Sequence, residues 1–141
     1  MRDYTCLSAL EMAELVRLRE VSPVDLVEEH LARIEKLNPR LNAFVQVDGE
    51  RARRDARAAE WAVKNGAGLG PLNGVPLGIK SSIDVAGLRC EAGSKLRNGY
   101  VALQDAPLVA RLRAAGAIVL GVTNTPDAAV SLTASGILLS S

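Results

Sequence analysis

Aromatic side chains are scarce. Phe, Trp and Tyr make up 3% of the 141 residues, so a core must be built from Leu, Val, Ile and Ala. Histidine occurs once (His30) and cysteine twice (Cys6 and Cys90), which excludes a disulfide framework and a cysteine–histidine metal cluster. No metal or cofactor is expected. Both thiols are expected to be free and buried, as in a reducing compartment. Long apolar runs are missing too: no window reaches the roughly 18 residues of a membrane span. The N-terminus, MRDYTCLSALEMAEL, carries acids and no extended apolar stretch, so no secretory signal is read there and the expected location is cytoplasmic. An excess of charge is also absent. Seventeen basic and sixteen acidic side chains leave a net charge of +1, and no nucleic-acid or membrane partner is expected. The densest basic stretch, RARRDARAAE from Arg51 to Glu60, includes acids and reads as a solvated helix face.

What is present is the material of one globular domain. Apolar residues are 48% and charged ones 23%, and a chain of this length can bury roughly 70% of its extended surface. Ser8 and Glu11 have capping-box spacing before a helical pattern that predicts a helix from about Ala9 to Glu20. Ser22, Pro23 and Asp25 open a second helix with Val24, Val27, Leu31 and Ile34 as its stripe, ending at Asn38-Pro39. His30 lies beside that stripe and reads as a half-buried helix residue, since one histidine without partners makes no metal site. LNAFVQV, residues 41–47, has strand composition; Asp48 begins a charged helix to about Lys64, stopped by Asn65-Gly66. GAGLGPLNG reads as a flexible connection. Later, Asp105 is placed to cap APLVARLRAAG, which ends at Gly116 and feeds AIVLGV. That continuous apolar run suits a strand covered on both faces, as in parallel sheets. Thr125-Pro126-Asp127 opens a further helix. The order is helix, helix, strand, helix, strand, loop, helix, strand: an α/β chain that looks like the first portion of a bigger sheet.

One stretch stands apart. GVPLGIKSSIDVAG, residues 74–87, sets a lysine into an apolar, glycine-punctuated run. Val75, Leu77 and Ile79 alternate on one face, while Pro76, Gly78 and Lys80 share the other. A strand meant only for packing would carry Val or Ile at position 80. Lys80 therefore either reaches solvent over its alkyl stem or has a chemical role, and the glycine beside it leaves room for something to approach. Ser82, two residues on, could share its face as a Ser–Lys dyad, but adjacent serines in a turn usually bond to nearby backbone.

PLNGVPLGIKSSIDVAGLRCEAGSK, DAPLVARLRAAGAIVLGVTNTPDAA and, upstream, SPVDLVEEHLARIEKLNPRLNAFV together resemble the N-terminal portion of the amidase signature enzymes, over about Leu7 to Ala129. The resemblance implies the N-terminal portion of an α/β/α sandwich with a mixed sheet, incomplete here. A truncated amidase domain would then span 1–141, with a helical segment at about 8–38 and an α/β part at about 41–141. It also implies a carboxamide hydrolase with a Ser–cis-Ser–Lys triad, and it places the family lysine at Lys80. In that mechanism the lysine acts as a neutral amine, one serine relays the proton and a second forms an acyl-enzyme. An ammonium has no lone pair, so the mechanism requires a pocket that disfavours the charged form. The family's serines lie downstream in a glycine-serine-rich stretch that this chain does not contain. Ser140 and Ser141 lack its flanking glycines and are assigned no role. Where the family usually has aspartate after the lysine stands Ser81, and where it has glycine-lysine-threonine-asparagine stands Gly121-Val122-Thr123-Asn124. Without a nucleophile or an oxyanion hole the chain alone is expected to be inactive and marginally stable. Two further readings stay open: a non-catalytic remnant or interaction module, and a portion of the amidotransferase A-type subunit that amidates mischarged transfer RNA. The expected partners are a small-molecule amide in the full-length parent and a second copy held through an unpaired sheet edge.

Overall fold

The computed structural model describes residues 3–67 and 69–125. The helix expected from Thr125-Pro126-Asp127, and Ser140 and Ser141, extend beyond the described residues. A short 3-10 turn at Tyr4–Cys6 precedes α1 (Ala9–Arg17), α2 (Pro23–Leu41), β1 (Phe44–Val47), α3 (Gly49–Lys64), β2 (Pro76–Lys80), a second 3-10 turn at Lys95–Arg97, α4 (Pro107–Ala114) and β3 (Ile118–Thr123). The element order is the one read from the sequence.

Local chemistry explains most boundaries. The Ser8 hydroxyl accepts from the Glu11 N–H at 3.3 Å while Glu11 Oε2 accepts from the Ser8 N–H at 2.8 Å, closing the capping box. The first helix stops at Arg17, short of Glu20, because Arg19 takes a left-handed conformation (φ 61°) and the Glu20 N–H turns back to the Leu15 carbonyl. The second helix runs past Pro39. It does so without an N–H on Pro39 to reach the Glu35 carbonyl, and the stop is Asn42, left-handed at φ 47°, whose N–H bonds to the Asn38 carbonyl. The strand after it therefore begins at Phe44 and not at Leu41. Asp48 caps α3 by accepting from the Arg51 N–H. Asp105 does not cap α4; Ala106 holds the cap position without a side-chain bond, and Asp105 is engaged elsewhere.

Three strands make a mixed sheet in the order β1-β3-β2, with β3 antiparallel to β1 and parallel to β2. The buried run thus lies at the centre with a neighbour on each edge. The register steps from Leu77↔Val119 to Gly78↔Gly121, leaving Leu120 as the extra residue of a bulge. The bulge sorts β3 between two cores. Ile118 and Leu120 pack with Val27, Leu31, Ala52 and Ala56 beneath α2 and α3. Val119 and Val122 pack with Ile79, Val85, Cys90 and Val109 on the opposite face, beneath α4 and the long connection. A third cluster (Met12, Val16, Leu26, Val63, Val75) joins α1 to one end of the sheet. Helices on both faces of the sheet make the three-layer α/β arrangement expected. Gly121 is dictated by approach: a Cβ there would sit 2.1 Å from the Gln46 carbonyl oxygen of β1.

The connection expected to be flexible is held. Leu72 and Gly74 donate their N–H groups to the Ala115 and Gly116 carbonyls at 2.9 and 3.0 Å, fastening the approach to β2 against the turn between α4 and β3. Local composition reports turn residues but not the backbone partner some 40 positions away.

Candidate functional site

In α/β sheets, ligands gather where parallel strands end at their carboxyl termini. Here that end belongs to β2 and β3, at Lys80 and its register partner Thr123. Lys80 is exposed, and among the described residues no hydrogen bond or ion pair reaches its Nζ. From Gly78 to Lys80 the alternation holds, with Ile79 buried between an open Gly78 and an open Lys80, whereas Pro76, read onto the same face as those two, is buried. Gly78 has a packing reason of its own, because a Cβ there would meet Thr123 Cγ2 at 2.9 Å and the Phe44 ring at 3.0 Å. The low-dielectric enclosure that a neutral lysine requires is not built by the described residues.

The chain turns sharply after the lysine. The Ser81 N–H bonds to the Thr123 carbonyl at 2.9 Å, the Lys80 carbonyl accepts from Ile83 and the Ser81 carbonyl accepts from Ala92 at 3.1 Å. Ser81 is buried and Ser82 half-buried. The turn's hydrogen bonds are all made by backbone; among the described residues neither hydroxyl makes a hydrogen bond, and none joins Ser82 to Lys80. The Thr-Asn pair at the end of β3 has a structural role. Asn124 donates its N–H to Ala43 at 2.8 Å and its side-chain amide to Asn42 at 3.1 Å, tying the site floor to the start of β1. The buried Thr125 hydroxyl has no partner among the described residues.

The connection that follows Lys80 is fixed by residues the sequence reading gave other roles, Asp105 as a helix cap and Arg51 as solvated surface. Ala86 is clasped on both sides: its N–H donates to Asp105 Oδ1 at 2.8 Å and its carbonyl accepts from Arg51 of α3 at 2.8 Å. Arg113 of α4 holds Asp105 in turn, with Nε 2.9 Å from Oδ2, and reaches Asp55 of α3 at 3.5 Å. Further along, Arg97 lies over the Tyr100 ring, 4.4 Å from its centroid, and the Tyr100 hydroxyl donates to Asp84. That bond, with the negative charge beside it, pushes the Tyr100 phenol up.

The thiols divide. Cys90 is fully buried under this connection, where it accepts from the Val85 N–H, and burial pushes its thiol up. Cys6 is exposed, against expectation, because it closes a surface 3-10 turn in which Thr5 is bonded to Asp3. The Thr5 hydroxyl and N–H hold Asp3 at about 2. His30 is half-buried on α2, as read, with Nδ1 2.7 Å from the Leu26 carbonyl. Among the described residues no cluster could hold a metal ion, and no helix is long and apolar enough to cross a membrane.

Against known proteins, the profile of the family described as Amidase matches residues 25–139. The A subunit of the glutamyl-tRNA(Gln) amidotransferase of Salinispora arenicola is 41% identical over 130 residues, 92% of this chain and 26% of that protein. The indoleacetamide hydrolase of Bradyrhizobium diazoefficiens is 42% identical over 120 residues, 85% of this chain and 23% of that one. Among solved structures, the peptide amidase of Stenotrophomonas maltophilia superposes with a TM-score of 0.80 at 33% identity, covering 88% of this chain and 26% of the other. The chain spans about a quarter of the length of the relatives it matches.

Proposed function

The chain belongs to the amidase signature family, and from that membership we propose that it carries the base of a carboxamide hydrolase whose serines lie in sequence outside these 141 residues. The observation that supports this reading is the placement of Lys80. It stands at the carboxyl end of a strand parallel to its neighbour, open and unpartnered among the described residues, above a floor tied by Asn124. In the proposed Ser–cis-Ser–Lys reaction the Lys80 amine takes a proton from the relay serine. That serine takes one from the nucleophile, whose oxygen bonds to the amide carbon. Expulsion of the amine, with return of the proton to its nitrogen, leaves an ester that water cleaves. A lysine serves as a neutral base only in a pocket that disfavours its charged form, so the rest of the protein has to supply enclosure as well as nucleophile and oxyanion donors. The 141 residues alone are then inactive, and the chain is proposed to be cytoplasmic.

The likeness to the Salinispora amidotransferase subunit along 92% of the chain favours a second reading, a portion of such a subunit. In that case the parent protein would release ammonia from glutamine only with its partners, whereas a hydrolase would turn over free amides alone. A third reading is a remnant that binds without reacting.

The test is direct. Reading the gene past codon 141 in all three frames should reveal a glycine-serine-rich stretch, and its absence over several hundred bases would favour the remnant. A fluorophosphonate probe should leave the 141-residue chain unlabelled and label the extended protein. In that extended protein Lys80→Ala should slow acylation by about 10²- to 10⁴-fold, the span of a positioned general base. Labelling of the short chain that disappears with Lys80→Ala would contradict the reading.

A further inference from the structure

Three asparagines precede a glycine, in Asn65-Gly66, Asn73-Gly74 and Asn98-Gly99. In such a pair the glycine nitrogen can attack the side-chain amide carbon of the asparagine, because glycine has no Cβ to crowd the approach. The three pairs are alike in sequence, and the structure makes them unequal.

Asn73-Gly74 is locked. Gly74 is buried and its N–H donates to the Gly116 carbonyl at 3.0 Å, while Asn73 Nδ2 is buried too. Packing there is so close that a Cβ on Gly116 would lie 2.7 Å from Asn73 Cα. Asn98-Gly99 is exposed, but its glycine nitrogen is engaged: the Gly99 N–H donates to Glu91 Oε1 at 2.7 Å, a charge-assisted bond.

Asn65-Gly66 is exposed and its nitrogen is free. Asn65 ends α3, and Gly66 follows in the left-handed conformation at φ 66°. The Ala67 N–H returns to the Ala62 carbonyl at 3.0 Å, the outer bond of a Schellman cap. The inner bond of such a cap would run from the Gly66 N–H to the Val63 carbonyl. Val63 instead accepts from Arg19 Nη2 at 2.9 Å, and among the described residues the Gly66 N–H makes no hydrogen bond. The Asn65 amide makes one bond, donating to the Trp61 carbonyl at 2.8 Å in the water-exposed last turn. Helix ends are where such bonds open at least cost.

We propose that Asn65 is a site of spontaneous modification, converted through a cyclic imide to aspartate and isoaspartate. The Gly66 nitrogen gives its proton to solvent base and bonds to Asn65 Cγ. The Cγ–Nδ2 bond then breaks, and Nδ2 leaves as ammonia with a proton taken from water. A water molecule adds to either imide carbonyl and opens the ring. Water is the sole co-reactant, and nothing is oxidised or reduced. The product sets a carboxylate at the carboxyl end of α3, where the helix dipole disfavours it, and removes the donor to Trp61. The isoaspartate form also lengthens the main chain ahead of Gly66, which breaks the Ala67–Ala62 bond. None of this depends on the hydrolase reading.

The test is incubation of the 141-residue chain at mildly alkaline pH, folded and in concentrated urea, followed by peptide mapping by mass spectrometry. Isoaspartate is scored by methyl transfer with an isoaspartate-specific methyltransferase. In the folded chain Asn65 should convert on the order of tenfold faster than Asn73, and ahead of Asn98, since the rate follows local opening. In urea, where no structure separates them, the three rates should converge. Gly66→Ala crowds the nitrogen and should slow conversion at Asn65 in both solvents, so the variant reports even if it does not fold. In the converted chain the Ala67 amide should exchange faster, with the Leu72 and Gly74 amides unchanged. Conversion led by Asn98 or Asn73 in the folded chain, equal rates at all three there, or undiminished conversion in Gly66→Ala would overturn the proposal.

Discussion

Two residues one pleat apart on β2 separate what the fold needs from what it does not. Lys80 is exposed and unpartnered among the described residues, so Lys80→Met should change unfolding free energy by less than about 0.5 kcal/mol in a urea titration. Gly78→Ala drives a methyl into Thr123 and Phe44 and should cost about 1–3 kcal/mol in the same measurement. A lysine that stability does not require, at a position where Val or Ile would serve a strand, is free to take the proposed role of base. The misplaced charge was legible in the sequence by its period of two, but Gly78 read as room for something to approach, because Thr123 and Phe44, which it actually accommodates, are remote in sequence. The burial of Cys90 against the exposure of Cys6 was not legible there, since Val109, Val119 and Val122, which pack in the same core as Cys90, are remote from it in sequence. The two can be told apart by alkylation, with Cys6 modified in the folded chain and Cys90 only on unfolding. Titration gives a second readout. Burial raises the Cys90 thiol above its ordinary 9.0, so the folded chain holds that proton more tightly than the unfolded one. The resulting stability is fully present below pH 9 and is lost as pH rises through the folded-state value. Stability measured from pH 7 to pH 11 should therefore fall in its alkaline part, less steeply in Cys90→Ala.

At the scale of elements, the site is held by connections between pieces, and their ends carry the information. The end of α2 is the clearest case. Asn38 faces the following strand, its amide donating to the Phe44 carbonyl at 2.9 Å and its oxygen accepting from the Phe44 N–H at 2.8 Å. Asn38→Ala removes both partners of a backbone unit and should cost about 1–3 kcal/mol by urea unfolding, with β1 amides losing exchange protection first. Read alone, Asn38-Pro39 signals a helix stop, because proline restricts the residue before it. The structure carries the helix one turn further, since Asn42 can take the left-handed conformation and Asn38 can serve the strand. The starts of α1, α2 and α3 were legible for a complementary reason: capping partners lie two or three residues apart, as Ser22 does from the Val24 N–H it accepts, whereas Asp105 is bonded to Ala86 and Arg113 and does not cap α4. The clasp on Ala86 escaped notice because Arg51 and Asp105 lie 35 and 19 positions away from it. Charged residues whose partners are that remote look like solvated surface in any local window.

For the molecule as a whole, the three layers are present but the sheet is narrow. Three strands leave the outer edges of β1 and β2 without a neighbour among the described residues, and Val45 and Val47 on β1 are exposed. On the opposite face Leu96 and Leu103 of the connection are 98% and 95% exposed. Apolar side chains in those places are what a larger protein would cover, in keeping with a chain that spans about a quarter of its relatives' length. The apolar run AIVLGV, from which a wider sheet was expected, is already covered by three strands, since β3 has a neighbour on each edge. An edge strand with alternate apolar residues is a template for another copy. Sedimentation should therefore show reversible association that grows with protein concentration and is insensitive to salt, since it would be driven by backbone pairing and apolar contact rather than by charge. Val45→Lys sets a charge on the β1 edge, where a partner strand would have to desolvate it, and should shift the chain toward monomer without altering its unfolding midpoint. Association unchanged by that substitution would move the contact to the leucines of the opposite face, and paired replacement of Leu96 and Leu103 by Ser would then be the variant that returns the chain to monomer.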